Sequence, residues 1–200
     1  MHSVLLSEAQ KAAIADVAIA SSELEAEVER CIIELCKLWW PHGSILLDNV
    51  RIEAKLSIFQ QLIEVEFHGK TIAEDFRFVY CNLKDLNAQR NTIIHGEWVT
   101  KSWSEELQGK KLKPGQYRKD IEEKNIVAYK KRRSKSPPAI SARHVKKVAD
   151  LMSLNRALLH QLFWEHFPER VRGLSGRPAS PQKSSSQLRE MIRKMGQSCQ

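Results

Sequence analysis

Residues 86–98 read LNAQRNTIIHGEW, and the way this stretch continues the one before it decides how the chain folds. Phe76, Val79, Leu83 and Leu86 recur at steps of three and four, with Tyr80 beside them, which is one face of an amphipathic helix. Continuing the same steps places Arg90 on that apolar stripe. A guanidinium there must be paired, or must line a cleft or a subunit interface, because an unpaired charge in apolar surroundings is costly. His95 follows about 140° around the helix, at about 100° per residue. It lies in the last turn, where imidazolium complements the partial negative charge of the helix C-terminus. Gly96 comes next and suits a left-handed residue just past a helix. Spacing alone leaves two readings of Arg90 and His95 open. They are ordinary charges that complement a helix end, or they converge on one cleft, completed by a second subunit.

Upstream, Ser7-Glu8-Ala9-Gln10 has the form of a capping box. Ile14, Val17, Leu24, Val28, Cys31, Leu35 and Leu38 then recur at steps of three and four, with Ser21 in the one polar slot, so a long helix is predicted over 7–38. WWPHG (39–43) stops it, since Pro41 and Gly43 both disfavour continuation. A second helix over 44–66 carries Ile52, Leu56, Phe59 and Ile63, and FHGKT (67–71) breaks it at Gly69. Thr71-Ile72-Ala73-Glu74 is another capping box, opening the helix that leads into Arg90.

Downstream the character changes. EWVTKSW (97–103) and NIVAYKKR (125–132) are rich in β-branched and aromatic residues, and Pro114-Gly115 between them is a turn signal. A β-hairpin or small meander with a long charged connection is predicted over 97–133. SKSPPAIS (134–141) reads as a turn or linker, with Ser141 capping a last helix over 141–166. The expected fold is all-α: an antiparallel bundle of about four long helices with a small β-hairpin insertion before the last one. This domain covers 1–167. From Pro168 the composition turns to Gly, Ser, Pro and Arg, so 168–200 is expected to be a basic, mostly disordered tail in which LREMIRKMG (188–196) can form one short helix.

The chain of 200 residues is 42% hydrophobic and 28% charged, an ordinary globular balance. No run of 18 apolar residues exists, so no membrane span is expected. The N-terminus lacks a cationic region and turns acidic early, unlike a signal peptide. The four cysteines form no C-x-x-C pair and no metal spacing with histidine, which fits a reduced, cytoplasmic setting. The formal net charge is +8, and the surplus sits in residues 101–200. It is a footprint for phosphate backbones, or simply the charge of a solvated basic tail.

Arg90 with His95 suggests specific chemistry. A histidine titrating near neutrality serves as general acid or base, and an always-charged guanidinium holds phosphate through forked hydrogen bonds. With no metal-ligand set beside them, the pair is equipment for metal-independent RNA cleavage, one group moving the 2′-hydroxyl proton and the other stabilising charge at phosphorus. RNTIIHGEW also resembles the motif of the HEPN (higher eukaryote and prokaryote nucleotide-binding) superfamily: Arg, a polar residue often Asn, three to five residues, His, frequently Gly. Arg90, Asn91, His95 and Gly96 match it, at the end of a core helix with one more long helix following. The resemblance implies an all-α homodimer and a metal-independent endoribonuclease without cofactor. Arg90 and His95 from two subunits would be catalytic in a composite cleft, with Asn91 supporting them. It also implies a place in toxin–antitoxin or other defence systems, with an antitoxin or other protein partner. The alternative is a non-catalytic module of this kind that binds RNA, nucleotide or a protein. One departure is Glu97, where members silenced by a nucleotidyltransferase partner carry Tyr.

Other candidates are less specific. Lys130, Lys131, Arg132 and Arg133 are either a solvated strand end or a phosphate-contacting, RNA-binding patch. Trp98, Trp103 and Tyr129 beside them read as hairpin packing, with stacking on RNA bases as the other reading. Trp39, Trp40 and Trp164 read as core or interface residues. His160 and His166 make a poor metal pair, and SELEAEVER on the first helix reads as a solvated face.

Overall fold

The computed structural model describes residues 6–100, 126–129, 140–167 and 183–197. The chain is mostly helical: α1 (Glu8–Leu35), α2 (Trp40–Asp48), α3 (Ile52–Glu66), α4 (Ile72–His95), α5 (Ala142–His166) and α6 (Ser185–Gln197). Between α4 and α5 lie β1 (Glu97–Thr100), β2 (Ile126–Tyr129) and β3 (Ile140–Ser141). They pair antiparallel in the order β1-β2-β3, with Trp98 opposite Ala128 and Ala128 opposite Ile140. Ile140–Ser141, expected to be linker, is thus a strand that runs straight into α5. The long connection expected between β1 and β2 lies outside the described residues.

Local chemistry explains the helix ends. At the start of α1 the Ser7 N–H donates to Gln10 Oε1 at 2.9 Å and the Gln10 N–H to Ser7 Oγ at 3.3 Å, the reciprocal capping box. At its other end the Leu38 N–H reaches Ile33 O and the Lys37 N–H reaches Glu34 O. This is a Schellman closure, and its left-handed residue is Lys37 at φ 54°. Ser184 and Gln187 form another such box ahead of α6, at 3.0 and 3.4 Å.

The segment 39–43 behaves differently from the sequence expectation. Pro41 does not only end a helix: it sits in the first turn of α2, where its missing N–H and fixed φ are compatible with a helix start. Gly43 is buried inside α2, and a Cβ there would lie 2.5 Å from Ile33 Cγ1, so glycine serves the close approach of α2 to α1. The predicted 44–66 helix is therefore two helices, broken at 49–51. Gly96 does not take a left-handed conformation. Among the described residues the glycine with positive φ is Gly69, after α3. The Gly96 N–H instead completes the last turn of α4 on Thr92 O at 2.9 Å, and the chain passes directly into β1.

The chain divides into two compact units, Met1–Ala20 with Leu86–Asp150, and Ser21–Asp85 with Leu151–Gln200. The first buries Val17 of α1, Leu86 and Ile93 of α4, Ala128 of β2, and Val145 and Val148 of α5. The second is centred on aromatics. Phe76 stacks on Phe67 at 5.4 Å and meets Phe59 and Phe163 edge-on at 6.0 and 5.5 Å, arrangements that add to area burial. Within the stretch expected to be a mostly disordered tail, α6 is helical and buries Leu188 and Ile192 in this second unit. Arg189 and Arg193 lie 5.3 and 5.6 Å from the Phe78 ring, and Arg189 pairs with Asp75. No helix of the described residues is long and apolar enough to cross a membrane.

Candidate functional site

The apolar stripe of α4 continues as the spacing requires, through Leu86 and Ile93, both buried. Arg90 lies beside it and is half-buried, while His95 is exposed in the last turn. That turn is held by the Gly96 N–H on Thr92 O and by the Thr92 hydroxyl donating to Ala88 O at 3.1 Å.

Arg90, Asn91 and His95 converge. Arg90 Nη1 donates to Asn91 Oδ1 at 2.9 Å and lies 3.3 Å from His95 Nε2. The five-residue separation puts the two backbones on different sides of the helix axis, and the length of the arginine side chain closes the gap. A guanidinium N–H only donates, so in this geometry Nε2 of His95 is the acceptor and its ring proton sits on Nδ1. The imidazole turns its Nε2 toward the cation. Arg90 Nε is buried and has no hydrogen-bond partner among the described residues. Such an arrangement can hold an anion against the guanidinium beside a nitrogen able to accept a proton.

Glu97 is exposed and heads β1, opposite Tyr129. Trp98 is half-buried opposite Ala128. Lys130, Lys131, Arg132, Arg133 and Trp103 lie outside the described residues, as does the side chain of Trp164. Trp39 and Trp40 are not core residues: both are exposed. Among the described residues no three His, Cys, Asp or Glu side chains gather as a metal site.

A second polar cluster was not foreseen in the sequence. Glu27 of α1, on the face expected to be solvated, is bound by Arg30 at 2.5 and 3.2 Å and by His160 Nδ1 of α5 at 3.3 Å. Burial pushes the Glu27 carboxyl up, and the hydrogen bonds from His160 and Arg30 together with their charge outweigh it, holding it at about 2. The Arg30 guanidinium lies 5.6 Å from the Phe163 ring. Next to it, burial pushes the Cys31 thiol well above its ordinary 9.0, so it carries no thiolate at neutral pH. Lys55 of α3 is buried between Glu25, at 2.7 Å, and Glu29. Burial lowers its pKa, and the hydrogen bonds it donates to the two carboxylates more than reverse this. The signal was present as Glu27-x-x-Arg30, but the partners His160 and Lys55 lie on other helices, and no local pattern connects them.

Compared with known proteins, the chain matches no family model, no curated protein and no solved structure.

The polar side chains thus fall into two classes. Glu27 with Arg30, and Lys55 with Glu25 and Glu29, are enclosed ion pairs, which suits fixing helices in place. Arg90 and His95 combine a half-buried cation with an exposed base at a helix end, which suits a ligand arriving from solvent.

Proposed function

We propose that the chain is an endoribonuclease of the HEPN kind, a helical bundle with a β-hairpin insertion that acts in the cytoplasm as a homodimer. In this reading it cleaves RNA without metal, as a toxin or defence effector with its own antitoxin or other partner. The observation that carries it is the convergence of Arg90, Asn91 and His95 at the end of α4. Arg90 holds the scissile phosphate. Nε2 of His95 takes the proton of the 2′-hydroxyl as that oxygen attacks phosphorus. The 2′-oxygen–phosphorus bond forms, the 5′-oxygen leaves, and a 2′,3′-cyclic phosphate remains on one product. Asn91 positions the guanidinium through its Oδ1. A second subunit bringing its own pair to the same cleft supplies the acid that protonates the leaving oxygen.

The test is RNA incubated with the purified chain in excess EDTA, beside Arg90→Ala and His95→Ala. Each variant is expected to lose at least about 100-fold in rate. Equal and negligible cleavage by all three ends the enzyme reading. The net charge of +8 favours a second reading, a non-catalytic module that binds RNA, nucleotide or a protein. In that case RNA binding survives His95→Ala and no cleavage is seen with any form.

A further inference from the structure

A guanidinium has two edges able to take an oxyanion by two parallel hydrogen bonds, and both edges of Arg90 are closed in this structure. The edge made of Nε and Nη2 is shut because Nε is buried and has no hydrogen-bond partner among the described residues. The edge made of Nη1 and Nη2 is shut differently. Nη1 carries two hydrogens, and two acceptors take them: Asn91 Oδ1 at 2.9 Å and His95 Nε2 at 3.3 Å. Whichever of these hydrogens faces Nη2 is already in use. The contact with His95 also occupies the lone pair of the nitrogen that would accept a proton. In the free chain the fork and the base therefore block each other.

The geometry points to a single event that opens both: an oxyanion gripped by Arg90 draws the guanidinium off His95 and so releases Nε2. Of the two Nη1 contacts, the one to His95 is the longer and ends on an exposed ring, whereas Asn91 is half-buried. It is the contact that gives way first. Hydrogen bonds to a charged partner are roughly twice as strong as those between neutral groups, so a forked pair on an anion outweighs one long bond to an imidazole. The unpartnered Nε adds to this. A buried donor without an acceptor is costly, and a swing of the side chain toward the anion ends that cost. The trigger is an oxyanion with two unesterified oxygens, which a phosphodiester has and a neutral sugar or base lacks. The base is thus armed only where a phosphate is present. This inference rests on the reading of Arg90 as phosphate holder and His95 as base, and adds that the two roles exclude each other until the ligand arrives.

NMR of the full chain with isotope-labelled histidine tests this without any cleavage, at about pH 9, well above the ordinary histidine value of about 6.5. The ring nitrogen resonances report whether Nε2 accepts a hydrogen bond. Arg90→Met keeps an apolar stem and removes every donor, so its His95 resonance marks the released state, with circular dichroism as the check on folding. Sulfate, which has no proton to donate at this pH, is the probe. At about 100 mM it is expected to move the wild-type Nε2 resonance of His95 at least half of the way to its place in Arg90→Met. The exposed His42 and His68 should stay in place, and so should His95 of the variant. The wild-type titration decides by itself should the variant misfold, because release shifts Nε2 toward the range of a nitrogen without a donor. The proposal is overturned if sulfate leaves the wild-type resonance in place, or if folded Arg90→Met shows the resonance of the free wild type. A released Nε2 with no RNA cleavage keeps this coupling and ends the enzyme reading. Cleavage by a chain whose Nε2 does not respond does the reverse.

Discussion

Glu27 shows how one buried carboxylate can matter more than its neighbours on the same helix. Its pKa falls from an ordinary 4.5 to about 2 in the folded chain. A lowered folded value means that its stabilisation is complete above about pH 4.5 and drains away as the pH falls toward 2. Glu27→Gln should cost on the order of 3 kcal/mol in urea denaturation at neutral pH, since it leaves the Arg30 charge buried without its carboxylate. The variant should also show a flatter loss of stability between those two pH values than the wild type. Lys37 is the opposite case, a residue whose backbone is strained. At φ 54° it occupies the left-handed position of the Schellman closure, where glycine has no Cβ penalty. Lys37→Gly should raise stability by about 1 kcal/mol, read as a higher urea midpoint with an unchanged slope.

Among the elements, α2 and α6 depend on small details. Gly43→Ala gains helix propensity but drives a methyl into the buried Ile33 side chain, so a net loss of about 1–2 kcal/mol is expected from thermal unfolding. α6 is anchored by Leu188 and Ile192 and by arginines on Phe78. Ile192→Ala should speed amide exchange along Ser185–Gln197, by at least about tenfold, while leaving α3 unchanged. Elements of this kind were legible where their signal is local. The step of three and four through Phe76, Val79, Leu83 and Leu86 placed α4, and Ser7 with Gln10 placed the start of α1. Pro41 was misread because the same ring that stops one helix can start the next, and only the chain beyond it decides which. Gly96 was misread because a strand follows at once, so no left-handed turn is needed there. Arg90 and His95 were legible as residues with a position. Their 3.3 Å contact was not, since it depends on an arginine rotamer. The docking of Lys55 between Glu25 and Glu29 could not be read at all, because it pairs helices distant in sequence.

For the whole molecule, charge is the property that reaches furthest. If RNA is the ligand, a chain of net charge +8 should bind it at least about tenfold more weakly at about 200 mM KCl than at about 50 mM, measured by filter binding of the His95→Ala form. The same salt acts inside the fold through the alternating glutamates of α1. Glu25 and Glu29 hold Lys55 of α3, whereas Glu23 and Glu27 hold Arg156 and His160 of α5. The Lys55 side chain is 3% exposed, but those of Arg156 and Glu23 are 45% and 48% exposed. Ions reach the Glu23–Arg156 pair and scarcely reach Lys55. Rising ionic strength therefore acts on one helix neighbour before the other: the grip of α1 on α5 slackens first, and its grip on α3 outlasts it.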